Sequence, residues 1–175
     1  SPNLGGSQAN VAIDLAYQIG TMTTGQSAYL SFVVSLNIAS DLDDFLFAKP
    51  GATTVDGGDG DDFIVGANSS DLLQGGSGDD VINGNGGHDI ILGGTGDDII
   101  EGGDGADRII WRNGDGFDIV DGGSGDDSVD TLVVEASATA PASVSLSQDG
   151  GGDVLVGLNG TLIVKADNIE EIEIF

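Results

Sequence analysis

Aliphatic and polar positions repeat with a period of nine residues through the middle of the chain. Each block gives a glycine-rich turn, an aspartate at its sixth position and an aliphatic residue at its eighth. Six blocks run without interruption from Gly57, and two more begin at Asn113 and Gly122, after a two-residue insertion at Trp111–Arg112. The eighth-position residues are Ile64, Leu73, Ile82, Ile91, Ile100, Ile109, Val120 and Val129. A repeat of this length predicts an array of stacked supersecondary units.

Each block predicts a glycine turn followed by a short strand. In the block 93–101, side chains alternate across the strand, so we expect Ile100 to point inward and Ile99 and Glu101 outward. One block buries a single aliphatic side chain, whereas stacked blocks bury a ladder of them. The insertion predicts a longer strand from Ile109 to Arg112, without loss of the alternation.

The flanks lack the repeat and predict longer strands. N-terminal strands are expected at 10–17 and 28–38. C-terminal strands are expected at 131–135, 143–148, 153–158, 161–165 and 169–175, with hairpin turns at 149–152 and 159–160. Because repeat arrays need capped ends, we expect an N-terminal β cap at 1–38, the repeat array at 39–130 and an antiparallel β cap at 131–175.

The charge of the chain limits the kinds of partner and ligand that it can bind. Thirty acidic residues stand against four Lys or Arg, giving a formal net charge of −26, while 39% of the residues are hydrophobic. The regular apolar spacing argues against a disordered acidic tail. The charge repels phosphate backbones and makes nucleic acid a poor partner. Aspartate clustered with glycine instead favours turns that bind cations through oxygen atoms.

The candidate ligands come from the turns. The carboxylates are Asp62, Asp71, Asp80, Asp89, Asp98, Asp107, Asp118 and Asp127. Backbone carbonyls come from the loop residues Gly57, Gly58, Gly60, Gly75, Gly76, Gly78, Gly84, Gly86, Gly93, Gly94, Gly96, Gly102, Gly103, Gly105, Asn113, Gly114, Gly116, Gly122, Gly123 and Gly125. Calcium takes about 6–8 such oxygens.

The blocks from Gly57 to Asp130 resemble the RTX (repeats in toxin, hemolysin-type) calcium-binding repeats. The resemblance implies an all-β fold, a right-handed parallel β-roll in which two blocks make one turn. It also implies calcium ions between stacked loops, held by the sixth-position aspartates and the loop carbonyls. The implied pairs, for about six ions, are Asp62/Asp80, Asp80/Asp98, Asp98/Asp118, Asp71/Asp89, Asp89/Asp107 and Asp107/Asp127.

Some blocks depart from the family pattern. Ala67, Asn68 and Ser69 replace the usual loop residues, so the Asp71/Asp89 site is the weakest expectation. Asn113 in place of glycine is a milder change, since asparagine tolerates left-handed backbone angles. The frame also extends backward over 39–56, which predicts a degenerate first turn and a further calcium at Asp44/Asp62.

Nothing in the sequence predicts catalysis. There is no cysteine, no zinc-binding helix motif and no nucleophile elbow, and His88, the only histidine, is expected to be a surface residue. The chain is therefore expected not to be an enzyme within these residues. Trp111 and Phe117 fit either a sugar-stacking patch or a cover over the roll.

The resemblance implies a calcium-binding module of an exported bacterial protein, secreted or at the cell surface, that folds on calcium after type I secretion. The ending Glu173-Ile174-Phe175 is similar to the termini of type I substrates and also fits an edge strand of the cap. No segment is apolar enough to span a membrane. The alternatives are a calcium-dependent surface-assembly or adhesion module that associates with itself, and a polysaccharide-binding accessory domain of a secreted enzyme.

Overall fold

The computed structural model of the chain describes residues 42–123, 128–136 and 143–175. These residues form fourteen β-strands and, among them, no helix. The strands predicted at 10–17 and 28–38, and with them the N-terminal cap, lie outside the described residues.

The strands form two sheets. Sheet 1 contains, in spatial order, β1 (Phe45–Phe47), β3 (Phe63–Val65), β5 (Val81–Asn83), β7 (Ile99–Glu101), β9 (Asp118–Asp121), β13 (Thr161–Asp167), β12 (Val154–Leu158) and β11 (Val144–Gln148). Sheet 2 contains β2 (Thr54–Asp59), β4 (Leu72–Ser77), β6 (Ile90–Thr95), β8 (Arg108–Arg112), β10 (Thr131–Glu135) and β14 (Glu171–Ile174).

The chain alternates between the sheets and forms a parallel β-roll. Successive strands of one sheet come from blocks two apart, so that Ile64 lies beside Ile82 in sheet 1 and Leu73 beside Ile91 in sheet 2. The predicted roll, with two blocks in each turn, is confirmed.

The eighth-position residues form the core between the sheets. Their side chains stack into two ladders, and the eighth-position residues from Ile64 to Val120 are at most 2% exposed. The ladders comprise Leu46, Ile64, Ile82, Ile100 and Val120 on sheet 1, and Val55, Leu73, Ile91, Ile109 and Leu132 on sheet 2. Leu46 and Val55 belong to the degenerate turn predicted before Gly57, and both point inward.

The insertion lengthens a strand, as predicted. β8 has five residues. The next strand, β9, keeps the register of the earlier turns, since its Val120 lies beside Ile100 of β7. Trp111 is only 3% exposed, and its indole N–H donates to the Gly116 carbonyl oxygen at 3.2 Å. Trp111 therefore packs in the core.

The last block is shifted by three residues from its predicted position. Val129, predicted to point inward, is 49% exposed, and Leu132 fills the core beside Ile109. The prediction for Val129 was wrong because β10 buries Leu132, Val133 and Val134 together, which removes more apolar surface from water than Val129 alone.

The C-terminal strands predicted from the sequence are present, and they continue both sheets of the roll. β11, β12 and β13 pair antiparallel, as predicted for the cap. β13 pairs parallel with β9, however, and β14 pairs parallel with β10. Each sheet of the roll therefore ends on a strand from the non-repeat region.

Candidate metal centre

The glycine turns line up along two edges of the roll. The first edge stacks the loops 57–62, 75–80, 93–98 and 113–118, which lead into sheet 1. The second edge stacks the loops 66–71, 84–89 and 102–107, followed by residues 122–123 and 128–130, and these lead into sheet 2. Parallel pairing places each loop directly over the loop of the preceding turn.

The sixth-position aspartates of the first edge form a hydrogen-bonded series. The backbone N–H of each donates to Oδ1 of the next. The N···O distances are 2.8 Å for Asp44 to Asp62, 2.7 Å for Asp62 to Asp80, 2.9 Å for Asp80 to Asp98 and 3.2 Å for Asp98 to Asp118. The structure thus brings together every aspartate pair predicted for this edge, including Asp44 and Asp62.

The second edge has the same series with one replacement. The Asp71 N–H donates to Oδ1 of Asp89 at 2.7 Å, and the Asp89 N–H donates to Oδ1 of Asp107 at 2.8 Å. The Asp107 N–H then donates to Oδ1 of Asp130 at 2.8 Å. Asp127 was expected in this place and lies outside the described residues, as does Gly125.

The other carboxylate oxygen is buried without a hydrogen bond. Among the described residues, Oδ2 of Asp62, Asp80, Asp89 and Asp98 has no hydrogen-bond partner, and these four aspartates are at most 2% exposed. Burying an ionised carboxylate oxygen without a partner costs several kcal/mol, on the order of 2–7 even for a neutral polar group. These oxygens are therefore candidate ligands for a cation.

Backbone carbonyl oxygens converge on the same places. A Cβ atom on Gly75 would lie 2.1 Å from Oδ2 of Asp80 and 2.4 Å from the carbonyl oxygen of Gly93. The same atom on Gly57 would lie 2.0 Å from Oδ2 of Asp62 and 2.4 Å from the Gly75 carbonyl oxygen. Glycine is required at the first position because a carboxylate and a carbonyl fill the space of a side chain.

Glycine is required at the second loop position for a different reason. Gly76 has a φ of 123°, which L side chains rarely adopt, and its missing Cβ leaves room for the Gly58 carbonyl oxygen. This backbone angle turns successive carbonyl groups towards the neighbouring loop.

The carboxylates ionise with difficulty in the absence of a cation. Burial raises the pKa of Asp80 and of Asp89 to about 7, and neighbouring carboxylates add to the rise. Burial likewise raises the pKa of Asp98 to about 6 and of Asp118 to about 8. The backbone N–H donors lower these pKa values but do not offset the loss of water.

In the described parts of the chain, the ion pairs of the basic side chains lie away from these carboxylates. Arg108 pairs with Glu173, Arg112 with Glu135, and Lys165 with both Asp149 and Asp153. Within the part of the chain that the structure describes, none of these ion pairs involves a sixth-position aspartate.

The loop 66–71 differs from the others, as its sequence predicted. The Ala67 N–H donates to Oδ2 of Asp71 at 2.8 Å. That oxygen, which in the regular loops has no hydrogen bond, is engaged within its own loop. Oδ2 of Asp71 is therefore less available to a cation than Oδ2 of Asp62, Asp80, Asp89 and Asp98.

The fifth-position residues form a second series that the sequence analysis missed. On the first edge the N–H of Asp61, Asp79 and Asp97 donates to Oδ1 of the fifth-position aspartate one turn earlier, at 2.9–3.0 Å. On the second edge Oγ of Ser70 accepts from the His88 N–H, and Nδ1 of His88 accepts from the Ala106 N–H. His88 is exposed, as expected, but it links two turns. The recurrence of aspartate at this position in alternate blocks was visible in the sequence.

The donor set fits calcium. Among the described residues, no group of three or more His, Cys, Asp or Glu side chains forms a metal cluster. The donors are instead pairs of carboxylates and backbone carbonyls, and these hard oxygens are the ligands that calcium prefers.

The described residues also contain no helix long and apolar enough to cross a membrane.

Comparison with protein families agrees with this chemistry. A family model described as the RTX calcium-binding nonapeptide repeat matches four times, over residues 38–73, 65–100, 83–110 and 113–132. Together the matches cover more than half of the chain. A search of curated proteins finds no significant match.

Proposed function

The chain belongs to the RTX calcium-binding nonapeptide repeat family, a structural calcium-binding module, and from this premise we propose that its repeat array folds around calcium ions stacked along both edges of the roll. The buried Oδ2 atoms of Asp62, Asp80, Asp89 and Asp98 carry the proposal. Each needs a cation that the chain itself does not supply.

We propose that an ion lies between each pair of successive loops. The pairs on the first edge are Asp44/Asp62, Asp62/Asp80, Asp80/Asp98 and Asp98/Asp118, and those on the second edge are Asp71/Asp89, Asp89/Asp107 and Asp107/Asp130. The loop carbonyls complete each donor set. Asp130 takes the place expected for Asp127 because it accepts the hydrogen bond from Asp107. The Asp71/Asp89 position is the weakest of the series.

Calcium binding of this kind is coupled to folding. Without the ion, the carboxylates repel each other and resist burial, while each short strand removes little apolar surface from water. An ion that binds only the folded roll stabilises it by mass action. Seven positions at tenfold excess over their dissociation constants would contribute on the order of 10 kcal/mol, which is comparable with the stability of an ordinary domain.

This coupling suits an exported bacterial protein, and we propose that the chain is part of one. It would remain unfolded where calcium is scarce, pass through a type I secretion channel, and fold outside the cell. The C-terminal cap at 131–175 would then close one end of the array at 39–130.

A calcium titration tests the folding proposal. Circular dichroism follows strand formation, and the emission of Trp111, 3% exposed in the fold, reports burial. We expect both signals to change together with calcium and not with magnesium, which demands a tighter octahedral site. A chain that is fully folded in chelator would contradict the proposal.

A further inference from the structure

The second edge of the roll continues beyond the last nonapeptide block, into a turn that carries no repeat sequence. This turn, Asp167–Glu170, joins β13 to β14. Three of its contacts with Gly122 and Asp130 repeat the contacts between the regular loops of the same edge.

The first repeated contact is a backbone hydrogen bond at the start of each loop. The Gly84 N–H donates to the Glu101 carbonyl oxygen and the Gly102 N–H to the Asp121 carbonyl oxygen, both at 2.8 Å. The Gly122 N–H donates in the same way to the carbonyl oxygen of Asp167, at 3.0 Å.

The second repeated contact is the close approach of a carbonyl oxygen to the first residue of the loop. A Cβ atom on Gly84 would lie 2.3 Å from the Gly102 carbonyl oxygen, and one on Gly102 would lie 2.5 Å from that of Gly122. At Gly122 the approaching atom is the carbonyl oxygen of Asn168, at 2.1 Å from the Cβ position.

The third repeated contact is the carboxylate series itself. The Asp107 N–H donates to Oδ1 of Asp130 at 2.8 Å, and the Asp130 N–H donates to Oε2 of Glu170, also at 2.8 Å. Glu170 therefore occupies the place of a sixth-position aspartate in the next turn.

Other contacts hold the turn in this position. The carbonyl oxygen of Asp130 accepts from the N–H groups of Glu170 and Glu171, at 3.2 and 3.1 Å. The side-chain amide of Asn168 donates to Oδ1 of Asp121 at 2.8 Å. Asn168 has a φ of 48°, in the left-handed region that asparagine tolerates.

From this repetition, and resting on the proposed function, we infer that Gly122, Asp130 and the turn Asp167–Glu170 form one further calcium site. Its donors are the carboxylates of Asp130 and Glu170 and the carbonyl oxygen of Asn168. Asp130 is 4% exposed and so brings a buried carboxylate, while Glu170 lies at the surface. Calcium can complete its coordination with water at such an open position. The site ties the cap to the roll, so cap and roll respond to the same ion.

Native mass spectrometry of the full chain at saturating calcium tests the site by counting bound ions. Glu170→Gln keeps an oxygen that can accept from the Asp130 N–H but removes the charge. We expect it to bind one calcium ion fewer than the unchanged chain. Glu171→Gln, in the neighbouring strand, is the matched control and should bind the full number.

The outcomes are distinguishable. An unchanged ion count and affinity in Glu170→Gln would show that Glu170 only accepts a hydrogen bond, and would overturn the inference. An unchanged chain that binds no calcium would instead overturn the proposed function.

A second measurement needs no variant that might fail to fold. A small amount of Mn²⁺ added to the calcium-loaded, unchanged chain should broaden the amide resonances of Asn168, Glu170 and Glu171 as the metals exchange. Resonances of the distant turn Asp149–Gly152 should stay sharp. Sharp resonances at Asn168–Glu171, while those of the repeat loops broaden, would overturn the inference.

Discussion

At the scale of the single residue, Asp98 joins the hydrogen-bonded series on both sides and also carries a buried carboxylate oxygen. Its Oδ1 accepts from the Asp80 N–H, its own N–H donates to Asp118, and its Oδ2 is buried without a hydrogen bond. We predict that Asp98→Asn lowers the apparent calcium affinity at least tenfold, about 1.4 kcal/mol, because two proposed ion positions lose a charge. A calcium titration followed by circular dichroism measures the shift.

The same variant should have the opposite effect in chelator. Asparagine removes a charge that folding must bury, so at neutral pH Asp98→Asn should fold more readily than the unchanged chain without calcium. Asp97→Asn is the control, because Asp97 is exposed and its Oδ1 only accepts from the Phe117 N–H. Equal effects of the two variants would contradict the assignment of Asp98 as a ligand.

Gly75 is the residue-scale test of the loop geometry. Gly75→Ala would place its Cβ 2.4 Å from the Gly93 carbonyl oxygen, a backbone atom that cannot move without disturbing the next loop. We predict a loss of about 2–4 kcal/mol in the free energy of unfolding in calcium, measured by urea denaturation. Gly150→Ala has open space around its Cβ and should change stability little. A neutral Gly75→Ala would mean that the loops are less closely stacked.

The sequence identified the sixth-position aspartates because position and residue type repeat together. It did not identify Asp130, because both Asp127-Ser128-Val129 and Asp130-Thr131-Leu132 match the pattern of aspartate followed two residues later by an aliphatic residue. Only the longer apolar run Leu132–Val134 separates the two, through burial. Glu170 was inaccessible to any repeat pattern, since a turn 40 residues from Asp130 brings it into the series.

At the scale of the element, each strand from β1 to β9 contributes one buried aliphatic side chain. In β7, Ile100 is 1% exposed and Ile99 is 50% exposed. We predict that Ile100→Ala costs about 2–5 kcal/mol in calcium, whereas Ile99→Ala, with the same change in volume, costs less than about 1 kcal/mol. Thermal or urea unfolding measures both. Similar losses would place the core elsewhere.

The strands themselves were largely predictable. The period of nine located β1 to β9, although β2, β4 and β6 extend three residues further into the glycine turns than expected, and the C-terminal candidate strands located β10 to β14 within two residues. The pairing of the last strands was not predictable in the same way. Alternation along β13 and β14 shows which face is buried, but pairing with β9 and β10 depends on the open ends that the roll presents.

At the scale of the whole molecule, the net charge of −26 and the buried carboxylates destabilise the folded chain through mutual repulsion. Bound cations or protons reduce this repulsion. An ordinary domain buries a wide apolar core, whereas the roll buries two ladders one side chain wide. Its stability should therefore depend on solution conditions more strongly than that of a domain with a larger core.

The pH dependence of folding is the sharpest consequence. Burial raises the pKa of Asp80 and Asp89 to about 7, of Asp98 to about 6 and of Asp118 to about 8, above the unfolded value of 3.8. A carboxyl group whose pKa rises on folding favours the folded chain below its unfolded pKa, and this contribution is lost as the pH rises through the folded value. In calcium-free buffer, the folded fraction should therefore increase as the pH falls from 8 towards 5.

Calcium should reverse this direction. Protons compete with the ion for the same carboxylates, so the calcium concentration at half-folding should rise as the pH falls from 8 to 5. Circular dichroism at several pH values, with and without calcium, measures both trends. The two opposite slopes follow from one cause, the need of each buried carboxylate for a positive partner. A calcium-free chain that folds better at pH 8 than at pH 5 would show that these carboxylates are solvated in the folded state, and would remove the physical basis for ion-dependent folding.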